Sequence, residues 1–443
     1  IKTSTKPDLK GELQNLYAWS LIRLGKSDEG REVYEKLLQS PIPERLRESL
    51  LFRMGASAID DDKYQMAIPY FRELRERYGR GRFVESAHWF EAWALFQNGS
   101  QMKPTDRAGL EQANDLLNKL PRLPDGAGLE AQSLYWRART LRALDQLDEA
   151  LQIERELNRT WELSFYSLLL RKNPFQFLRH RINATDLKPT RQSIEAAEQF
   201  EGRLSWERLE AFRSVHLMEW AQLEMAVFLD EIKSRDRGYR MAVANRLQAI
   251  EDWADLVKWT EANIGKSLES LHEDPEVLEF LYPRAHEAAV LEASAEFRVS
   301  PYLIWGLMRE ESRFEADVRS HAGAEGLMQL MPSLSRRIGK VLKEPRSRAG
   351  WMFDPKRNIR FGTFHLRELI NEVNAIPVSD DLKMVLVVAA YNAGIDPVRR
   401  WVKEQDTENI DVFVESIPYT ETRGYVKRVL QSASIYSKIW GRK

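Results

Sequence analysis

The chain has 443 residues, and its 66 lysines and arginines nearly balance 67 aspartates and glutamates, giving a formal net charge of -1. This balance argues against a nucleic-acid-binding protein, which usually carries a basic stripe. The absence of cysteine excludes disulfides and cysteine-based metal sites or nucleophiles. The seven histidines show no metal-ligand spacing, and no apolar run approaches the roughly 20 residues that span a bilayer. We therefore expect no cofactor, no metal, no nucleic acid partner and no transmembrane segment in this chain.

The first 170 residues predict a series of helical pairs. Apolar stripes with helical spacing are interrupted at Gly25, at 60–62, at Asn98-Gly99 and at 145–146. The interruptions recur at roughly forty residues, an interval typical of tetratricopeptide-like α-solenoid repeats. A stretch rich in proline and glycine, 120–128, predicts a loop before the last pair. We interpret the tryptophans of this half as packing between repeats; the alternative is a ligand groove on a concave face.

The chain shows almost no alternating strand pattern, which predicts an all-α fold. Residues 195–280 keep the helical pattern but offer no recognisable chemistry. Leu281-Tyr282-Pro283 then separates them from a C-terminal part with more glycine clusters and turns. These changes predict three domains: an arm of helical pairs at 1–194, a helical linker domain at 195–280 and a functional domain at 281–443.

Within the last domain, one carboxylate lies on an apolar helix face. Ser300-Pro301 predicts the helix start, with serine as the N-cap. Glu311 falls near the middle of the apolar face, whereas Glu310 is rotated from it by about 100°. Burial there raises the pKa of a carboxyl group, which is the property that a general acid needs near neutral pH. The apolar face is formed by Ile304, Leu307, Met308 and Phe314. The alternative to a catalytic acid is a structural glutamate paired with Arg313 or Arg319.

Three later segments place polar side chains next to turns. The glycines of 323–329 permit a tight turn, and its last residue, Gln329, carries both donors and acceptors. A uniformly apolar helix, 382–390, ends in Tyr391-Asn392-Ala393-Gly394, which either terminates the helix or faces a cleft. Glu421 and Tyr425 are four residues apart and share a helix face, where the acidic residue also suits the helix dipole. Each segment alone has a purely structural explanation.

Taken in order, four motifs resemble those of the soluble lytic murein transglycosylases: Arg309-Glu310-Glu311-Ser312, Gly326-Leu327-Met328-Gln329, Ala390-Tyr391-Asn392-Ala393-Gly394 and Glu421-Thr422-Arg423-Gly424-Tyr425. Residues 135–139 and 163–166 are similar to the last part of that family's helical superstructure. The resemblance implies a goose-lysozyme-like α domain at 281–443, preceded by an α-superhelical arm. It implies that Glu311, directly before the motif serine, is the catalytic acid. The substrate-binding residues that it implies are Ser312, Gln329, Met331, Tyr391, Asn392, Glu421 and Tyr425.

The resemblance also implies a reaction and a substrate. Glu311 would protonate the oxygen that links N-acetylmuramic acid to N-acetylglucosamine in peptidoglycan, while the acetamido group of the substrate stabilises the positive charge. The resulting carboxylate would deprotonate the C6 hydroxyl, which closes a 1,6-anhydro ring. Two alternatives stay open: a goose-type lysozyme hydrolase using Glu310 or Asp317 as base, and a catalytically inert helical-repeat scaffold.

The sequence departs from the family pattern at three points. The residue before the catalytic glutamate is commonly glutamine, whereas here it is Glu310. Ser333-Leu334 stands where a Thr-Ala pair is frequent, and the arm is shorter than in the longest members.

The chain begins at Ile1 rather than methionine, so we expect a processed N-terminus and, from the resemblance, a periplasmic location. The helical arm is the expected surface for any protein partners in the cell wall.

Overall fold

The regular structure in the described part of the chain is helical, and extended pairing there is limited to isolated bridges. The all-α prediction is therefore confirmed. Contacts divide the chain into two compact units, residues 1–161 and residues 162–443. The computed structural model describes residues 6–102, 105–124, 126–179, 187–188, 204–215, 217–232, 237–264, 274–344 and 350–441.

The first unit consists of helices that each pack on the next helix along the chain. Short turns join them in pairs, as the repeated interruptions of the apolar stripes predict. Two short 3₁₀ turns, Leu120–Arg122 and Ala127–Leu129, occupy the predicted loop before the last pair. The helices are α1 (Lys6–Arg23), α2 (Ser27–Leu38), α3 (Glu44–Asp60), α4 (Tyr64–Arg77), α5 (Val84–Gln101), α6 (Arg107–Lys119), α7 (Glu130–Ala143) and α8 (Leu147–Thr160).

Three of the four predicted turns are confirmed, and the one at Asn98-Gly99 is wrong. Helix α5 continues through Gly99 to Gln101. A Cβ atom at Gly99 would lie 3.0 Å from Cγ of Leu110 in α6. The glycine therefore allows two helices to approach closely, a packing role that the sequence pattern alone does not distinguish from a turn.

Tryptophans form the centre of this unit, as interpreted from their spacing. The rings of Trp93 and Trp136 lie edge to face with centroids 4.8 Å apart, and Trp89 is also buried against them. Trp19 is an exception, because 43% of it is exposed. Most of the aromatic stripe is thus core rather than surface.

The second unit contains the helices that carry the predicted motifs. In its helix Asp380–Ala393, the residues from Leu382 to Ala390 are nearly all buried, as their uniformly apolar sequence predicts. Its helices are α9 (Phe165–Leu169), α10 (Leu204–Ser214), α11 (Met218–Ile232), α12 (Arg237–Ala249), α13 (Trp253–Asn263), α14 (Pro275–Leu281), α15 (Glu287–Phe297), α16 (Pro301–Ser312), α17 (Pro332–Val341), α18 (Pro355–Asn374), α19 (Asp380–Ala393), α20 (Ile395–Glu404), α21 (Ile410–Glu415) and α22 (Thr420–Trp440).

Helices α16 and α22 pack directly against each other because a glycine lies at their contact. A Cβ atom at Gly306 in α16 would lie 3.1 Å from the carbonyl oxygen of Val429 and 3.1 Å from the backbone nitrogen of Ala433. No larger residue fits without moving the backbone of α22. This close approach brings the first and last motifs together.

The second unit begins well before residue 281. The Tyr166 hydroxyl of α9 donates a hydrogen bond of 2.6 Å to Glu415, whose carboxylate also binds the ammonium group of Lys427 at 2.7 Å. The backbone of Lys188 donates to the carbonyl oxygen of Trp440 at 2.8 Å. The predicted boundary near residue 194 lies outside the described residues, so the division into three domains stays a prediction.

Candidate functional site

Helix α16 begins at Pro301, as predicted, but the serine before it does not cap the helix with its side chain. The carbonyl oxygen of Ser300 accepts hydrogen bonds from the backbone of Leu303 and Ile304. Its buried hydroxyl has no hydrogen-bond partner in the described part of the chain. Ser300 is thus the N-cap residue, as predicted, but the helix starts at Pro301 without a capping hydrogen bond from the serine side chain.

The carboxyl group of Glu311 is half-buried in the last turn of α16. The hydroxyl of Tyr425 in α22 donates a hydrogen bond of 2.5 Å to its Oε1. Burial raises the pKa of Glu311 to about 7; the hydrogen bond from Tyr425 opposes this shift, and the charges of Glu310 and Glu421 add to it. A substantial fraction of Glu311 is therefore protonated at neutral pH, as proton donation requires.

The two arginines that were candidates to neutralise Glu311 bind other carboxylates. Arg313 lies 3.4 Å from Glu261 of α13, and Arg319 lies 2.6 Å from Glu325. The hypothesis of a structural Glu311–arginine pair is therefore wrong. Glu311 instead faces a neutral phenol, which stabilises its position without forcing the carboxyl group to ionise.

The end of α19 carries Tyr391, whose hydroxyl is close enough to Glu311 to sense its charge, and Asn392. The Tyr391 hydroxyl donates to the carbonyl oxygen of Met328 at 2.8 Å. Burial, and then the charge of Glu311, raise the pKa of Tyr391 well above its usual value, so it stays a neutral donor. Oδ1 of Asn392 accepts a 2.6 Å hydrogen bond from Thr422. These contacts join the third motif to the second and the fourth.

The loop 325–331 is held by glycine and by backbone hydrogen bonds. Gly326 has φ +75°, and a Cβ atom there would lie 2.3 Å from the carbonyl oxygen of Met352. The side-chain amide of Gln329 donates to the carbonyl oxygens of Gly326 at 2.8 Å and Val318 at 3.3 Å. Met331 follows with 41% of its surface exposed. The donors of Gln329 thus shape the loop itself.

Ser312 joins the end of α16 to the same loop. Its hydroxyl lies 2.8 Å from the carbonyl oxygen of Leu327 and 3.1 Å from that of Met308, and it accepts a hydrogen bond from the backbone of Phe314. All of these contacts are to backbone groups. Ser312 therefore fixes the loop to the end of α16, in the position next to Glu311.

The fourth motif places two side chains differently. Tyr425 is 4% exposed, and burial raises the pKa of its hydroxyl well above the usual value. Glu421, one turn earlier on α22, is exposed. Of this pair, only Tyr425 contacts Glu311 directly, whereas Glu421 acts on it through its charge.

Asn358 is a positioning residue that the sequence analysis missed. It is completely buried in the first turns of α18. Its Oδ1 accepts from the backbone of Met328 at 2.8 Å, and its Nδ2 donates to the carbonyl oxygens of Glu325 and Met352 at 2.9 Å and 2.8 Å. The available signal was a polar residue on the apolar face of a helix. Two of its three backbone partners, Glu325 and Met328, lie about thirty residues earlier in the chain, too far for any local pattern.

Within the described ranges, no group of three or more histidines, aspartates or glutamates is placed to hold a metal ion. None of the helices that could be searched is long and apolar enough to cross a membrane.

Residues 288–414 match the family model described as Transglycosylase SLT domain, and residues 416–443 match the one described as Soluble lytic transglycosylase helical domain. The chain contains an SLT transglycosylase domain. All four motifs fall in these two matched segments, which together cover nearly all of the predicted functional domain.

Curated relatives extend the similarity beyond these two segments. The soluble lytic murein transglycosylase of Salmonella typhimurium is 28% identical over 341 residues, which cover 76% of this chain and 48% of the relative. That of Escherichia coli K12 is 28% identical over 330 residues, covering 73% and 46%. The chain thus spans about half the length of these curated relatives.

Solved structures share the fold. An inactive glutamate-to-glutamine mutant of lytic transglycosylase Slt from Pseudomonas aeruginosa matches with a TM-score of 0.66 and 24% identity, over 95% of this chain and 62% of that one. The 70-kDa soluble lytic transglycosylase from Escherichia coli matches with a TM-score of 0.55 and 20% identity, over 99% and 82%. The predicted fold class, α-superhelical pairs followed by a lysozyme-like α domain, is confirmed.

Proposed function

We propose that this chain is a lytic transglycosylase of peptidoglycan. It would cleave the β-1,4 bond between N-acetylmuramic acid and N-acetylglucosamine and form 1,6-anhydro-N-acetylmuramic acid. The observation that carries the proposal is the environment of Glu311: a half-buried carboxyl group, bonded to a neutral tyrosine, with a pKa raised to about 7, inside an SLT domain. The murein named for the relatives supplies the substrate class.

In the first step, Glu311 donates its proton to the bridging oxygen as the bond to C1 breaks. Tyr425 donates its hydrogen bond to Oε1 of Glu311, so in this mechanism the other carboxyl oxygen carries the proton and gives it to the leaving group. The acetamido group of the substrate stabilises the positive charge at C1. Tyr391 and Asn392 flank the reacting sugar, and Gln329, Met331, Ser312 and Glu421 shape the neighbouring subsites.

In the second step, the ionised Glu311 takes the proton of the C6 hydroxyl, whose oxygen then bonds to C1. One carboxylate serves both steps, and no water is consumed. The hydrolytic alternative needs a second carboxylate to activate water. Glu310 accepts from Arg428 and Ser432 instead, and Asp317 is exposed and lines a separate cavity beside α13. Neither arrangement favours hydrolysis.

The compartment and partners follow from the same proposal. Peptidoglycan strands lie outside the cytoplasmic membrane, so we place the protein in the periplasm. The helical pairs of the first unit serve as the surface that engages the polymer or other cell-wall proteins, because solenoid repeats offer extended binding surfaces.

The pH dependence of sacculus lysis tests this proposal. Because Glu311 must be protonated for the first step, the rate should be highest at mildly acidic pH. It should fall as pH rises through about 7, the value to which burial raises the pKa of Glu311. Turbidity of purified sacculi, followed at a series of pH values, measures this directly. A rate that keeps rising into alkaline pH would contradict the acid mechanism, and no lysis at any pH would support the inert scaffold.

A further inference from the structure

One face of α22 binds two adjacent carboxylates of α16 in different ways. Tyr425, Arg428 and Ser432 are spaced by three and four residues and so share that face. Glu311 receives the neutral Tyr425 hydroxyl. Glu310 receives the guanidinium group of Arg428, with Nε 2.9 Å from its Oε2, and the Ser432 hydroxyl at 3.2 Å from its Oε1. The helix pair therefore distinguishes the two neighbours chemically.

The difference leaves Glu310 held in an ion pair. Its side chain is only 13% exposed, and both of its oxygens have donors. Arg428 is 57% exposed, so solvent screens the effect of its positive charge on groups outside the ion pair. A negative charge thus stays next to Glu311 on the same helix, only partly offset by its partner.

The titratable groups that act on Glu311, through a hydrogen bond or through their charge, come from three helices. They are Glu310 on α16, Tyr391 on α19, and Glu421 and Tyr425 on α22. Both tyrosines are neutral because burial raises their pKa. Glu421 is exposed in the first turn of α22 and is screened by solvent. Glu310 is therefore the charge that the protein itself holds in place beside the acid.

We propose that Glu310 is a positioning residue for the reaction proposed above: its carboxylate, fixed by Arg428 and Ser432, keeps the proton on Glu311 at neutral pH. The inference rests on the proposed function, because it assigns a role in the acid step. It also gives a physical role to the glutamate that stands where glutamine is expected before the catalytic residue.

The test compares pH profiles of sacculus lysis. Glu310→Gln keeps the size of the side chain and an oxygen that accepts from Arg428, but removes the charge. The alkaline limb of the profile, where the rate falls as pH rises, should move to lower pH by about half a unit to one unit. Activity should be retained at acidic pH. Glu310→Asp keeps the charge and should leave the limb in place. A merely structural role predicts the reverse. Both variants would then have a lower rate at all pH values, with a loss for the shorter aspartate at least as large as that for glutamine, and the alkaline limb would not move in either.

A second variant covers the case in which Glu310→Gln does not fold. Arg428→Met removes the exposed cation that offsets the charge of Glu310, so the limb should move to higher pH. Glu315→Gln, which removes a carboxylate paired with Lys258 beyond the end of α16, serves as the matched control and should move nothing. Unmoved limbs in both the Glu310→Gln and the Arg428→Met proteins would overturn the inference.

A readout independent of lysis separates this inference from the proposed function. Carboxyl-carbon NMR of the full chain, with the Glu311 signal assigned by its loss in Glu311→Gln, follows the titration of the acid itself. The midpoint should fall in Glu310→Gln, and an unchanged midpoint overturns the inference even if the wild-type protein lyses sacculi. Failure of the proposed function is recognised differently, as the absence of lysis by the wild-type protein at every pH.

Discussion

Replacing Glu311 by glutamine should lower the rate of sacculus lysis by about 10²-fold or more, the contribution typical of a general acid. Glutamine preserves the shape of the side chain and still accepts the hydrogen bond from Tyr425, but it has no acidic proton to donate. The fold should survive, because a neutral amide is compatible with a half-buried site that disfavours a charge. The measurement is the initial rate at mildly acidic pH together with the melting temperature.

The adjacent carboxylate provides the matched control for that experiment. Glu310→Gln should keep most of its activity at acidic pH, since Glu310 contacts Arg428 and Ser432 rather than the candidate acid site. If Glu310→Gln were inactive while Glu311→Gln lysed sacculi normally, the wrong neighbour would have been assigned as the acid. Equal inactivation of both with lower melting temperatures would indicate damage to the α16–α22 contact instead.

Replacing Asn358 by leucine should destabilise the second unit by about 4 kcal/mol, because three buried backbone groups would lose their partners at about 1–3 kcal/mol each. The groups are the Met328 amide and the carbonyl oxygens of Glu325 and Met352. Lysis should fall as well, because the same loop accepts the Tyr391 hydroxyl and carries Gln329. Scanning calorimetry should show the transition of the second unit at lower temperature and that of the first unit unchanged.

Thr363, on the same helix as Asn358, is the control for this substitution. It is completely buried, and its hydroxyl has no partner in the part of the chain that the structure describes. Thr363→Val should therefore change stability little, because no hydrogen bond is lost and the shape is retained. If Asn358→Leu were as harmless as Thr363→Val, the hydrogen bonds of Asn358 would not be what holds the loop.

Local patterns were sufficient for the parts of the fold that depend on helix periodicity. The helical pairs, the start of α16 at Pro301 and the buried α19 follow from apolar spacing and from proline's fixed φ. The position of Glu311 on an apolar face also selected it over Glu310. The roles of the other site residues came from the family resemblance and not from a local pattern. They stay proposals.

Contacts between distant residues explain what the sequence left out. Tyr166 and Glu415 are 249 residues apart, so no local pattern indicates that the second unit begins near residue 162. Asn98-Gly99 is a pair typical of turns, but in the structure Gly99 lies within a helix and packs against the neighbouring helix. The pairing of Glu310 with Arg428 likewise exists only once α16 and α22 pack together. Burial and partners, rather than residue type, decide each of these cases.

The product of the reaction tests the central claim most directly. The C6 hydroxyl is tethered to the reacting sugar and so has a large effective-concentration advantage over water. We therefore predict that muropeptides released from sacculi end in 1,6-anhydro-N-acetylmuramic acid, lighter by one water than a hydrolysis product and inert to borohydride. Mass spectrometry before and after borohydride reduction distinguishes the two ends. Reducible N-acetylmuramic acid as the main product would contradict the transglycosylase assignment and would indicate a hydrolase with a second carboxylate as its base.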